Sequence, residues 1–253
     1  MDAGSERVDL KKRDQNQVQV IGRAARILRA IRDSGSVSLS QLALKVGLPR
    51  TTVWRIVASL ESEGLLTTRN PEGRIQLGIE LISLAAAVRH DLRRELRPYL
   101  EELSLQMDET VDLALLDKDH VLFLDQVTRL RRLRAVSGVG MTFPLHCTAN
   151  GKALLAALSP EAAEALLPEV LPSFTPNTLT TRAQLLEALA SIRAEGVAYD
   201  REEHTLGICA VGAAVRAPTD TLVAITIPVP SVRFYGNEAR FAEALLRTCE
   251  LIS

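Results

Sequence analysis

The sequence predicts an α+β protein in two parts: a small N-terminal helical unit with a two-stranded hairpin, then an antiparallel sheet with helices on one or both faces. Three observations lead there. Residues 38–78 read as two short helices around a glycine turn, followed by two short strands. From Thr110 onward the apolar period changes from helical spacing to two. Helices and strands then mix without a regular βαβ rhythm, which favours antiparallel pairing. At 253 residues and 47% hydrophobic composition the chain can form two cores of ordinary size.

Residues 1–17 are polar and read as a flexible tail. Lys11, Lys12 and Arg13 could reach a DNA backbone, although a basic terminus with no such role is the plainer reading. Ile21, Ala24, Ala25, Leu28 and Ile31 recur at helical spacing and predict a first helix ending near Gly35. Ser38 with Gln41 three residues on is a capping-box start. The helix it opens runs from Leu39 to Val46, and Gly47 supplies a left-handed end. Pro49 opens the next helix, where a missing N–H does no harm. In that helix Val53, Ile56, Val57 and Leu60 form the buried stripe, opposite Arg50, Thr51, Trp54, Arg55 and Ala58. Gly64 ends it, and Leu65–Thr68 and Ile75–Leu77 are strands around an Asn70-Pro71-Glu72-Gly73 turn.

A helix that exposes two arginines, a hydroxyl and an indole directly after a glycine turn suits insertion into a DNA major groove. Arg69 and Arg74 flank the wing turn, within reach of phosphates. A solvated charged face and a winged helix that docks protein are the competing readings. Agreement of cap, turn, stripe and wing favours DNA. Charge supports it: residues 1–75 carry 13 Lys and Arg against 8 Asp and Glu, while the remainder carries 17 against 23.

Residues 79–91 form an alanine-rich connecting helix, either a dimer surface or a plain connection. A domain border falls near residues 88–92. Leu92, Leu96, Tyr99, Leu100 and Leu103 continue a stripe on either side of Pro98, which interrupts the run. Val111, Leu113 and Leu115 alternate, and an Asp117–His120 turn leads into a second strand, Val121–Val127. The basic run Arg129–Arg134 lacks interleaved aromatics and marks a charged edge or loop rather than a second nucleic-acid site. A strand then turns to helix at Thr148, and Thr180 or Thr181 caps another helix, ended by Gly196. Val197–Asp200, Ile208–Val215 and Leu222–Val229 are strands, and Glu238–Leu251 is a terminal helix.

Composition and motifs exclude several classes. Three widely spaced cysteines, Cys147, Cys209 and Cys249, form neither a disulfide framework nor a zinc ribbon. The charged N-terminus is no secretory signal and no apolar run is long enough to span a bilayer, so a soluble cytoplasmic protein is expected. No Walker loop, dinucleotide fingerprint, GxSxG, HExxH or paired-carboxylate motif is present. His146-Cys147 suggests a thiol and its base, but on a strand the two would face opposite ways. His146, Asp200, Glu202, Glu203, His204 and Cys209 carry metal-ligating atoms at spacings that match no ligand signature. Segments 146–152, 199–210 and 224–228 place small and polar residues beside apolar ones, as a small-molecule pocket or simple packing would.

ARILRAI, SLSQLALKVGLPRTTVWRIVASLESEGLL, PEGRIQLG, LRPYLEEL, PLHCTANGKALLA, GVAYDREEHTLGICAVGAAV and a late SVRF occur in this order. Together they resemble the IclR family of bacterial transcriptional regulators over nearly the whole chain. The resemblance implies a winged helix-turn-helix over residues 18–78, a linker helix over 79–91 and a GAF-like effector and oligomerisation domain over 92–253. It implies homodimers or homotetramers on a palindromic double-stranded operator, regulated by a small organic acid or aromatic metabolite, with no cofactor and no catalysis. DNA contact falls to Ser38, Arg50, Thr51, Thr52, Trp54, Arg55, Arg69 and Arg74, and effector binding to Ala149, Asn150, Asp200, Ile208, Ala210, Thr226 and Pro228. The family's usual cysteine falls at Ala210, whereas this chain has Cys209, one residue earlier and on the other strand face. The paired serines of the last strand are Thr226 and Pro228, so one hydroxyl is lost. The expected ligand is therefore less polar than the short oxo-acids some relatives bind. A metal-dependent or thiol enzyme in the C-terminal half, or a protein-docking winged helix, is the alternative.

Overall fold

Local capping chemistry shapes the N-terminal unit, one of two into which the chain divides, Met1–Arg89 and His90–Ser253. The computed structural model describes residues 19–68, 73–87, 90–135 and 137–252. The expectations for the tail, for Arg69 and for most of the wing turn lie outside these residues. The first unit comprises α1 (residues 19–32), α2 (Leu39–Val46), α3 (Arg50–Ser62), β1 (Leu66–Thr67), β2 (Gln76–Leu77) and α4 (Glu80–Ala87). The Gln41 amide donates to Ser38 Oγ at 3.3 Å, and Gln41 Oε1 accepts from the Ser38 amide at 3.1 Å. Gly47 adopts φ +65° and its amide turns back to the last carbonyls of α2.

Ile27, Ile31, Leu42, Val53, Ile56, Val57, Leu60, Leu66 and Ile75 close this unit's core. The α1 stripe differs from expectation: Ile21 is 71% exposed and Ile27 fully buried. The first turn of α1 extends past the small core, so the inward face starts later. β1 and β2 pair antiparallel with Leu66 opposite Leu77, and Val37 bridges Ile75 beside them. Gly78 is required where the chain leaves the wing, because a Cβ there would stand 1.9 Å from the Gly64 carbonyl oxygen.

The second unit comprises α5 (His90–Met107), β3 (Val111–Asp117), β4 (His120–Val127), β5 (Thr142–Pro144), α6 (Ala149–Ala156), α7 (Pro160–Ala165), α8 (Arg182–Glu195), β6 (Ala198–Arg201), β7 (Ile208–Arg216), β8 (Leu222–Pro230), α9 (Ser231–Phe234) and α10 (Glu238–Ile252). Its six strands are ordered β5-β4-β3-β8-β7-β6 and each pairs antiparallel with its neighbours. α5, α9 and α10 cover one face and α6, α7 and α8 cover the other. Pro98 does not break α5. Leu92, Leu96, Leu100 and Leu103 are all buried on the sheet. Roughly 2 kcal/mol for each such leucine outweighs the ~3 kcal/mol a helix-interior proline costs.

Two details shape the α6 face. The β3–β4 register slips between Leu113 and Ala114, whose partners are Asp125 and Phe123, so Leu124 is bulged. The bulge lets Phe123 and Gln126 share a face with Asp112 while Asp125 meets Arg97 of α5 at 2.9 Å. α6 also lies directly on β7: a Cβ on Gly212 would sit 2.8 Å from the Ala149 carbonyl carbon. That close approach brings the first turn of α6 over the middle of the sheet.

Candidate DNA-binding face and ligand cavity

On α3 the buried stripe is Val53, Ile56, Val57 and Leu60. Arg50, Thr51, Trp54, Arg55 and Ala58 are exposed, Thr52 is half-buried, and Trp54 keeps 60% of its surface open. Two guanidinium groups and an indole therefore stand clear of the unit's own core, a composition suited to base edges and phosphates. The other assigned residues are more engaged. Ser38 Oγ accepts the Gln41 amide and also lies 3.1 Å from Gln41 Oε1, so its hydroxyl serves the cap. Arg74 is half-buried and donates from Nη2 to the Ser36 carbonyl at 2.8 Å, tying β2 to the loop before α2.

In the second unit a cavity of about 390 Å³ opens on the α6 face of the sheet. All seven residues assigned to effector binding line it: Ala149 and Asn150 from the first turn of α6, Asp200 from β6, Ile208 and Ala210 from β7, and Thr226 and Pro228 from β8. Strand register explains the convergence. Asp112, Thr226 and Gly212 form one cross-strand row, and Pro228, Ala210 and Asp200 the next. Cys209, one residue from Ala210, turns into the core against α10, where burial pushes its thiol up to about 11.

The cavity also takes in Asp112, Phe123, Arg134, Ser137, Phe143 and His204. An acid set between valine and leucine in a strand was a visible signal for Asp112. Ser137 had none, since it arrives from a loop 25 residues away. Asp112 is 2% exposed and receives Ser137 Oγ and, at 2.7 Å, Gln126 Nε2. Burial pushes its carboxyl up to about 6 despite those two donors. Asp200 accepts the Glu203 amide at 2.7 Å. Burial, and then the charge of Glu203, pushes it up to about 7 against the opposing pull of Lys152, which itself pairs with Glu203. At the N-terminus of α6, the Gly151 amide is capped by Thr148 Oγ1 and Asn150 Oδ1, while the first helical amides have no acceptor within the helix. Phe123 and Phe143 meet edge to face at 5.0 Å, and His204 stacks on Phe143 at 4.5 Å.

The thiol and metal readings fare differently from the sequence argument. His146 and Cys147 lie in the turn between β5 and α6, not on a strand. His146 Nε2 donates to the Pro172 carbonyl at 2.9 Å, and burial raises the Cys147 thiol to about 12, so no thiolate is prepared there. The six metal-ligating candidates disperse into separate contacts, and no group of three such side chains converges among the described residues. Nor is any helix among those residues long and apolar enough to cross a membrane.

Family models match both parts: the IclR helix-turn-helix domain over residues 20–70 and the bacterial transcriptional regulator IclR C-terminal domain over residues 84–253. This chain belongs to the IclR family. The IclR-family chain is 51% identical over 230 residues to HTH-type transcriptional regulator Rv1719 of Mycobacterium tuberculosis, covering 90% of this chain and 89% of that one. It is 39% identical over 235 residues to HTH-type transcriptional regulator TtgV of Pseudomonas putida, covering 91% and 89%. A crystal structure of an IclR homolog from Microbacterium hydrocarbonoxydans, complexed with 4-hydroxybenzoate, shares the fold at a TM-score of 0.81 and 24% identity, covering 92% and 97%. The chain is thus a DNA-binding transcriptional regulator by family, the class its sequence favoured over an enzyme or a docking module.

Proposed function

We propose that this IclR-family regulator reads a palindromic operator with the exposed face of α3 and releases or tightens on it when a small organic effector enters the C-terminal cavity. In this reading residues 18–78 form the DNA-binding domain, 79–91 the linker and 92–253 the effector and oligomerisation domain. The observation that carries it is the joint exposure of Arg50, Trp54 and Arg55 on a helix whose opposite side is the unit's core. Arg50 and Arg55 read base edges, Thr51, Thr52 and Ser38 contact the backbone, and Arg69 and Arg74 sit at the wing. The effector lies on Ala149, Asn150, Ile208, Ala210, Thr226 and Pro228, with Asp200 at one side. The relative bound to 4-hydroxybenzoate supports a ligand of that size. Two copies pair at least in part through the linker, where Ile79, Ile82 and Leu84 are exposed. The working compartment is the cytoplasm.

Recovering DNA bound to the purified chain and sequencing it tests the first half of this reading. A single inverted-repeat motif is expected, with affinity falling steeply as salt rises. Recovery of random sequence, or binding indifferent to salt, would refute it. Effector action requires that the ligand bind one arrangement of the protein better than another, so operator affinity must shift with ligand.

A further inference from the structure

One end of the cavity holds a polar mismatch that a specific chemical group would resolve. Thr226 Oγ1 is buried and has no hydrogen-bond partner among the described residues, and Thr226 as a whole is only 4% exposed. Directly across the β3–β8 pairing stands Asp112. Its two oxygens each receive one donor, Gln126 Nε2 on one and Ser137 Oγ on the other, which leaves each free to accept a second. This end therefore presents an unanswered hydroxyl beside a carboxylate with spare lone pairs.

A group that answers both must donate one hydrogen bond and accept another. A hydroxyl does so. A carboxylate brings no donor and is repelled by Asp112, an ammonium brings no acceptor, and a methyl answers neither. The rest of the cavity is built for a flat apolar body: Phe123, Phe143 and His204 form an aromatic wall, over a floor that includes Ala210 and Pro228. Burial holds the His204 imidazole below its usual range, hence uncharged near neutral pH. Asp200 cannot serve the same group, because it lies three strands from Asp112, roughly 14 Å at ordinary strand spacing. Arg134 lines the cavity from an exposed position, so an acidic substituent on a ligand could reach it without replacing the hydroxyl.

We propose that Asp112 and Thr226 form a hydroxyl-selective subsite and that the effector is a hydroxyarene, its O–H donated to Asp112 and its oxygen accepting from Thr226. This rests on the cavity being the effector site of a regulator.

Isothermal titration of the whole chain with phenol, benzoate and toluene tests it. Phenol binds at least about tenfold tighter than either analogue, since a site built around a hydroxyl leaves its own polar groups unpaired when that hydroxyl is missing. Thr226→Val abolishes most of that preference while toluene binds at least as tightly as to wild type, which shows the cavity intact; Thr226→Ser retains the preference. Benzoate binding as tightly as phenol, absence of binding by all three, or a preference that survives Thr226→Val overturns the subsite. Operator affinity is read separately on the same protein. Phenol that binds selectively without moving operator affinity leaves the subsite standing and removes the regulatory reading.

Discussion

Asp200→Asn probes the charge balance of the cavity. Asp200 lies at 6% exposure beside Glu203, Lys152 and Cys147, and its carboxyl rises from 3.8 to about 7. The folded chain holds this proton more tightly than the unfolded chain. The stability it contributes is therefore full below about pH 4 and is lost as pH rises through about 7. The whole shift corresponds to roughly 4 kcal/mol, of which about 3 kcal/mol falls between pH 5 and pH 8. Asparagine keeps an oxygen for the Glu203 amide but has no proton to lose. Wild type should therefore lose about 3 kcal/mol more than Asp200→Asn between those two pH values. Asp112, raised in the same direction, and His204, lowered by burial, are present in both proteins and cancel in the comparison. Urea unfolding followed by circular dichroism at about pH 5 and pH 8 gives the four stabilities needed. Parallel pH dependence in the two proteins would refute the assignment of a buried, protonated Asp200.

Arg55→Ala should weaken specific operator binding by about 1–3 kcal/mol if that arginine pairs with a base, as a footprint and titration would show. Trp54→Ala, at a position 60% exposed, should alter operator preference while thermal stability stays within about 0.5 kcal/mol. Arg74→Ala should lower the stability of the winged unit by about 1 kcal/mol through its lost bond to Ser36, as thermal unfolding would show. Gly78→Ala forces a Cβ against the Gly64 carbonyl and should destabilise that unit by about 3 kcal/mol or more, measured by calorimetry.

Much of the winged unit was legible because its instructions are local. A serine and a glutamine three residues apart make the cap, Gly47 supplies the left-handed stop, and four residues at helical spacing make the α3 stripe. Where a core edge set the limit, local reading slipped: Ile21 fits the α1 period but lies beyond what the small core covers. α7 and α9 are too short, at six and four residues, to show a period, and went unread. Pro98 looked like a break because the gain from burying leucines on the sheet is invisible until the sheet exists.

The cavity divides the same way. Resemblance placed Ala149, Asn150, Asp200, Ile208, Ala210, Thr226 and Pro228 together, and strand parity alone turned Cys209 away from them. By itself the sequence determined the inward stripe of α3 and the opposite faces that Cys209 and Ala210 take, since periods of 3.6 and 2 depend only on neighbours along the chain. The tertiary structure alone decided that Ser137 reaches Asp112, that Arg74 is held by Ser36, that a bulge swings Phe123 into the cavity and that Thr226 lacks a partner. Those outcomes depend on which distant groups share a desolvated space, and it is this shared burial that sets the hydrogen bonding and charge of the site.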